Sequence, residues 1–188
     1  MIITKSVKQI IIINFIVFAV TYLLSLSGFY LNNILALFPI YSDYFHPLQL
    51  ITHLFAHDNF NHVFFNMLFL YIFGPDVEKY FGSKRFWILY LTGGFFGSLF
   101  YFLIANFPVI GASGAVFTII SSYIFVNYKN TSSINLKSIL VFIIIMSEIY
   151  SLFIPITDNI GHFAHVIGAV YGFFFFLISR NRIELNNI

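Results

Sequence analysis

No cysteine occurs in the 188-residue chain, so disulfides and thiolate metal sites are excluded. Charge is scarce: 9% of residues are Asp, Glu, Lys or Arg, against about 25% in a soluble domain. No 20–50-residue repeat and no low-complexity linker divides the chain, which leaves one compact bundle as the economical reading. The first apolar stretch, opening MIITKSVKQIIIINFIVFAV, lacks a small-x-small cleavage site. It reads as a retained span, not a removable signal peptide. What is abundant is apolar: 60% of residues are hydrophobic, with a mean hydropathy of +0.91. Such a chain is an integral membrane protein, and helices are the default spanning element.

Six apolar segments stand out, at 9–31, 61–81, 86–107, 112–128, 138–156 and 161–179. Each is near the ~20 residues that cross ~30 Å of hydrocarbon. With six spans, all nine basic residues fall on one side: Lys5, Lys8, Lys79, Lys84, Arg85, Lys129, Lys137, Arg180 and Arg182. The opposite loops hold Asp43, Asp58 and Asp158 and no Lys or Arg. Basic residues mark the cytoplasmic side, so both termini are expected there. The loop at 32–60, with Tyr41, Tyr44, Phe45 and Pro47, is expected to be external, structured and partly interfacial. The short length and the lack of a transit peptide favour a bacterial inner membrane.

Polar groups inside a bilayer are costly and usually functional. The basic residues provide a depth ruler at about 1.5 Å per helical residue. It places Ser113 about 24 Å, His165 about 22 Å, Asn66 about 20 Å and His62 about 26 Å above the cytoplasmic edge. Three helices thus bring Ser, His, Asn and His into one layer beneath the outer surface.

That layer has a chemistry. A serine with a histidine base is a nucleophile–base pair. In GASGAVFTII (111–120), Gly111 and Gly114 let the backbone turn closely around Ser113. The Ser113 amide, at a helix N-terminus, can face a developing oxyanion. His62 and Asn66 are four apart, share a helix face and can donate to the same oxyanion. Asp158 lies about 10 Å along the axis from His165 if the segment is helical, too far for a direct bond. A Ser–His dyad is therefore expected, without a carboxylate. Gly168 and Gly172 follow His165 at i+3 and i+7, a small-xxx-small pattern that admits another helix. The segment carrying Ser113 is the natural partner, and Phe117 can pack against the His165 ring.

Taken in order, HLFAHDNFNHVFFN (53–66), GPDVEKYFG (74–82), GASG (111–114) and AHVIGAVYG (164–172) resemble the rhomboid family of intramembrane serine proteases. The resemblance covers the second through sixth spans. It implies an all-α, six-transmembrane-helix bundle with a short, submerged fourth helix, residues 1–188 forming a single domain. It implies Ser113 as nucleophile and His165 as base, with His62, Asn66 and the Ser113 amide as oxyanion donors. His57 matches a histidine that is structural or near the oxyanion site, and Glu78 matches a structural glutamate. Implied substrates are single-pass membrane proteins cut in or near their transmembrane helices. The external loop lacks the Trp-Arg pair of some members and has Pro47-Leu48-Gln49 there, closer to a Pro-Trp-Gln variant, and Phe117 stands where some members carry Tyr.

Blander readings stand beside these. Ser113 and His165 are, taken singly, ordinary packing and helix-bridging residues, and His62 and Asn66 are candidate polar glue between helices. His57 with His62, and His162 with His165, permit a metal hypothesis. No carboxylate or ordinary ligand spacing supports it, so no metal, no cofactor and no nucleic-acid partner is expected. Glu148 in the fifth span is either protonated, cavity-facing or part of a substrate gate. Two other classes remain: a catalytically inactive relative that binds client helices, and a small transporter or metal carrier using the histidine layer.

Overall fold

Long apolar runs closed by glycine, asparagine and charged turns fold as helices joined by short connections. The computed structural model describes residues 2–104, 107–131, 134–153 and 161–185. Helix α1 (Lys5–Leu26) is followed by the short α2 (Asn32–Leu35) and α3 (Gln49–Thr52), the latter running into a 3-10 turn at His53–Phe55. Then come α4 (Phe60–Phe81), α5 (Ser83–Ile104), α6 (Ser113–Thr131), α7 (Leu136–Ser151) and α8 (His162–Leu185). Among the described residues there is no strand, only an isolated bridge between Leu37 and Val109. Residues 105–106 and 154–156 of the expected spans lie outside the described residues, as does Asp158.

Helix α1 runs from 5 to 26 instead of 9 to 31, and local chemistry explains both ends. Its N-cap, Thr4, makes no side-chain cap. The Glu78 carboxylate of α4 does that work instead. It accepts from the amides of Ser6 (2.9 Å) and Val7 (3.0 Å) and from the hydroxyls of Thr4 and Ser83. A carboxylate there satisfies orphan N–H groups and the helix dipole. At the other end Gly28 takes φ +82°, and Phe29 N closes back on Leu24 O at 3.1 Å, an αL termination.

The loop between α1 and α4 is built around Gln49, which is buried. Its Oε1 accepts from Phe38 N and His46 N, and its Nε2 donates to Ile34 O and Tyr44 O. Phe45 packs on Phe102 of α5, while Tyr41 and Tyr44 are exposed.

Helix α6 is the centre of the bundle, enclosed by α4, α5 and α8. Its residues 114–123 are buried without interruption. The outer faces are apolar and exposed: Ile12, Ile16 and Leu23 on α1, Phe142 and Ile143 on α7, Phe174 and Ile178 on α8. Water does not tolerate so much contiguous apolar surface, and lipid does. Among the described residues, three helices are long and apolar enough to cross a membrane: Lys5–Leu26, Ser83–Ile104 and His162–Ser179. Helix α7 has 16 residues. Helices α4 and α6 carry buried polar groups, among them Asn66, Glu78, Thr118, Ser122 and Asn127.

Candidate active site

The segment before α6 hangs from the loop that leads into α4. Gly111 N donates to His53 O at 2.9 Å, and Ala112 N donates to His57 Nε2 at 3.4 Å. Gly111 has φ +121°, a conformation that disfavours side chains. A Cβ there would lie 2.6 Å from His62 Nε2, so the imidazole of His62 closes directly over the turn. Helix α6 then begins at Ser113, where the first amides have no intrahelical partner. Ser113 itself is half-buried.

Helices α6 and α8 meet backbone to backbone. A Cβ on Gly168 would lie 2.2 Å from Gly114 O, and one on Gly172 would lie 2.3 Å from Thr118 O. Gly97 of α5 joins the same contact, its Cβ position 3.0 Å from Ala164 O and 3.1 Å from Gly114 Cα. Hydroxyls lace the seam: Thr118 Oγ1 donates to Gly168 O (2.8 Å) and Ser122 Oγ to Gly172 O (3.2 Å). One turn above Gly168, His165 is buried and stacks on Phe117, with ring centroids 4.2 Å apart and planes within 6°. Phe117 is one turn along α6 from Ser113. The glycine contact and the stacked rings therefore hold the start of α6 and the start of α8 side by side.

The expectation that no carboxylate reaches His165 does not hold. Glu148 of α7 places Oε2 2.9 Å from His165 Nδ1 and 2.6 Å from His162 Nδ1. An ionised carboxylate only accepts hydrogen bonds, so with Glu148 ionised each Nδ1 donates to it, and a neutral His165 then carries its lone pair on Nε2. The same carboxylate stands beside the two histidines that the sequence paired three residues apart. One ligand atom each from Glu148, His162 and His165 lie within 4.8 Å of one another. The sequence signal was an acidic residue at depth in an apolar run.

On α4, Asn59 Oδ1 caps the helix by accepting from His62 N at 2.9 Å. Asn66 Nδ2 donates to His62 O at 2.9 Å, which occupies one amide proton and leaves the other. The rings of His57 and His62 meet edge to face at 4.8 Å. Burial holds His53 down to about 4. Burial, with the charge of His62, holds His57 down to about 3. Both are neutral at physiological pH, as the amide-accepting Nε2 of His57 requires. Glu78 lies away from this cluster, near the C-terminal end of α4, where it caps the start of α1.

The family model for the Rhomboid domain matches residues 44–182. The chain is 34% identical over 129 residues to rhomboid protease GluP of Bacillus subtilis, covering 67% of this chain and 25% of that protein. It is 31% identical over 133 residues to the putative rhomboid protease YdcA of the same organism, covering 66% of this chain and 63% of that one. RHOMBOID-like protein 9, chloroplastic, of Arabidopsis thaliana is 33% identical over 134 residues, covering 67% of this chain and 30% of that one. The chain thus spans a quarter to under two thirds of the length of these relatives. A bundle that is helical in its described residues, with an apolar exterior and buried polar groups inside, and that matches this family model is an integral membrane protein of the rhomboid class. The chain belongs to the rhomboid family.

Proposed function

We propose that the chain is an intramembrane serine endopeptidase that cuts membrane-protein substrates in or near their transmembrane helices. The observation that carries this is the packing of Gly114 on Gly168 with Phe117 on His165, which supports an approach of Ser113 to His165. In this reading both termini are cytoplasmic and α6 lies submerged in the bundle, its start below the outer membrane surface.

Ser113 Oγ attacks the scissile carbonyl carbon as its proton passes to His165 Nε2. The oxyanion is held by the Ser113 amide, the His62 ring and the remaining Asn66 amide proton, each donor contributing about 10²–10³ in rate. Collapse breaks the C–N bond, and His165 returns the proton to the leaving amine. Water then attacks the acyl ester, giving its proton to His165 and restoring Ser113. Glu148 is a positioning residue: accepting from Nδ1–H, it fixes the tautomer whose Nε2 faces Ser113. A helical carbonyl is already hydrogen-bonded, so the substrate helix unwinds locally before attack.

The test is labelling of the purified, detergent-solubilised protein by a fluorophosphonate probe. Wild type should label, Ser113→Ala and His165→Ala should not, and EDTA should not abolish labelling. Glu148→Gln should change both the labelling rate and its pH profile; if neither moves, Glu148 has no positioning role. A folded wild type that stays unlabelled beside an active rhomboid protease moves the assignment to client-helix binding.

A further inference from the structure

We infer that Glu148, His162 and His165 form a divalent transition-metal site whose occupation switches the catalytic histidine off. The site follows from the donor set alone. The regulatory half rests on the proposed function.

His162 and His165 are three apart on α8, so both rings project to one face, toward Glu148 of α7. The three ligand atoms lie within 4.8 Å of one another. Two imidazoles and one carboxylate are a known zinc donor set, with ligands at about 2.0–2.2 Å. A tetrahedral ion at those distances separates its ligand atoms by about 3.3 Å. The present separations of 2.6 and 2.9 Å to Glu148 Oε2 would widen by about 0.4–0.7 Å to accept it. The side chains are 14% (His162), 16% (Glu148) and 9% (His165) exposed. That is dry enough to strengthen the charge interaction and open enough to admit an ion and one water as fourth ligand. The carboxylate cancels half the charge of the ion. Two nitrogen donors favour zinc over magnesium or calcium, which prefer oxygen.

The consequence for His165 is a change of tautomer. With Glu148 accepting from Nδ1–H, Nε2 carries a lone pair and takes the Ser113 proton. A metal needs the Nδ1 lone pair, so the ring proton moves to Nε2. The nitrogen facing Ser113 then donates and has no capacity to act as base. The carboxylate that poises the histidine for catalysis thus doubles as the anchor of its inhibitor. This is inhibition by the metal, opposite in sign to a metalloenzyme: chelation raises activity.

The experiment pairs zinc binding, by equilibrium dialysis with metal analysis, with fluorophosphonate labelling on the same detergent-solubilised protein. Wild type and Ser113→Ala should each bind one zinc per chain with the same affinity. Glu148→Gln and His162→Ala, compared only where elution and circular dichroism match wild type, should each weaken binding at least tenfold. Zinc at ten times its dissociation constant should lower wild-type labelling about tenfold. Magnesium should not, and EDTA should reverse the loss. His162→Ala, judged against its own zinc-free rate, should resist zinc. Sub-stoichiometric zinc, or binding unmoved by both substitutions, overturns the site. Stoichiometric zinc with undiminished labelling overturns the switch. Zinc held at these residues by a chain that never labels supports the site and sinks the protease reading instead.

Discussion

Replacing Gly168 by alanine adds a single methyl group between α6 and α8. The new Cβ would sit 2.2 Å from Gly114 O, 3.1 Å from Gly114 C and 3.3 Å from Gly114 Cα. A relaxed carbon–oxygen contact is about 3.3–3.6 Å, so the deficit is roughly 1 Å. The obstructing atoms are backbone, not a side chain that can rotate away, so one helix must move. Ser113 is the residue before Gly114 on α6 and His165 stands about one turn from Gly168 on α8, so the displacement separates them. A misplacement of about 1 Å costs on the order of 10²-fold in rate. Intrinsic propensity acts in the opposite direction, since alanine is favoured over glycine in a helix by about 1 kcal/mol. The assay is the second-order rate of fluorophosphonate labelling per folded protein, with Val170→Ala, an exposed neighbour, as the control. Gly168→Ala should label about 100-fold more slowly and Val170→Ala at the wild-type rate. Labelling of Gly168→Ala within twofold of wild type, at an unchanged melting temperature, would refute the claim that this contact sets the approach of α8 to α6.

Three further perturbations have defined outcomes. Glu78→Gln replaces a carboxylate that receives two amides and two hydroxyls by a group that must turn one NH₂ toward donors; it should cost about 2–3 kcal/mol, read as a lower melting temperature in detergent. Phe117→Tyr should keep the stack on His165 and label near the wild-type rate, whereas Phe117→Ala should lower the rate by more than its loss of stability explains; equal rates for the two would remove Phe117 as a support for His165. Acid should destabilise the loop above the site: unfolded histidines protonate near 6.5, but His53 and His57 are held at about 4 and about 3. Their contribution to stability is full above about pH 6.5 and shrinks as pH falls toward those values, by up to about 3 kcal/mol per pH unit for the two together. A melting temperature that stays flat from pH 7.5 to 5 would count against this.

Position along each helix was the coordinate the sequence offered. A helix has a fixed rise, so sequence spacing alone put Ser113, His165, His62 and Asn66 on neighbouring levels. Glycine spacing told which face of α8 had room for a neighbour. Lateral proximity was not readable in the same way. Glu148 lies only a few ångströms from the level of His165 by the ruler, yet whether α7 turns it toward α8 or away depends on packing that no local pattern encodes. The start of α1 was misplaced for a related reason: its cap comes from Glu78, more than seventy residues along the chain. Hydropathy also blurred on α4 and α6, because helices enclosed by other helices satisfy polar groups among themselves and need not be apolar all round.

The enclosure of α6 bears on how the chain enters its membrane. A segment with Thr118, Ser121, Ser122 and Asn127 along it gains little from dissolving in lipid alone, since each polar side chain is penalised near the bilayer centre. Its hydroxyls find their acceptors on its own backbone and on α8, which is synthesised later. Insertion and assembly of this chain are therefore one coupled event, in which α4 and α5 shelter α6 until α8 arrives to complete its seam.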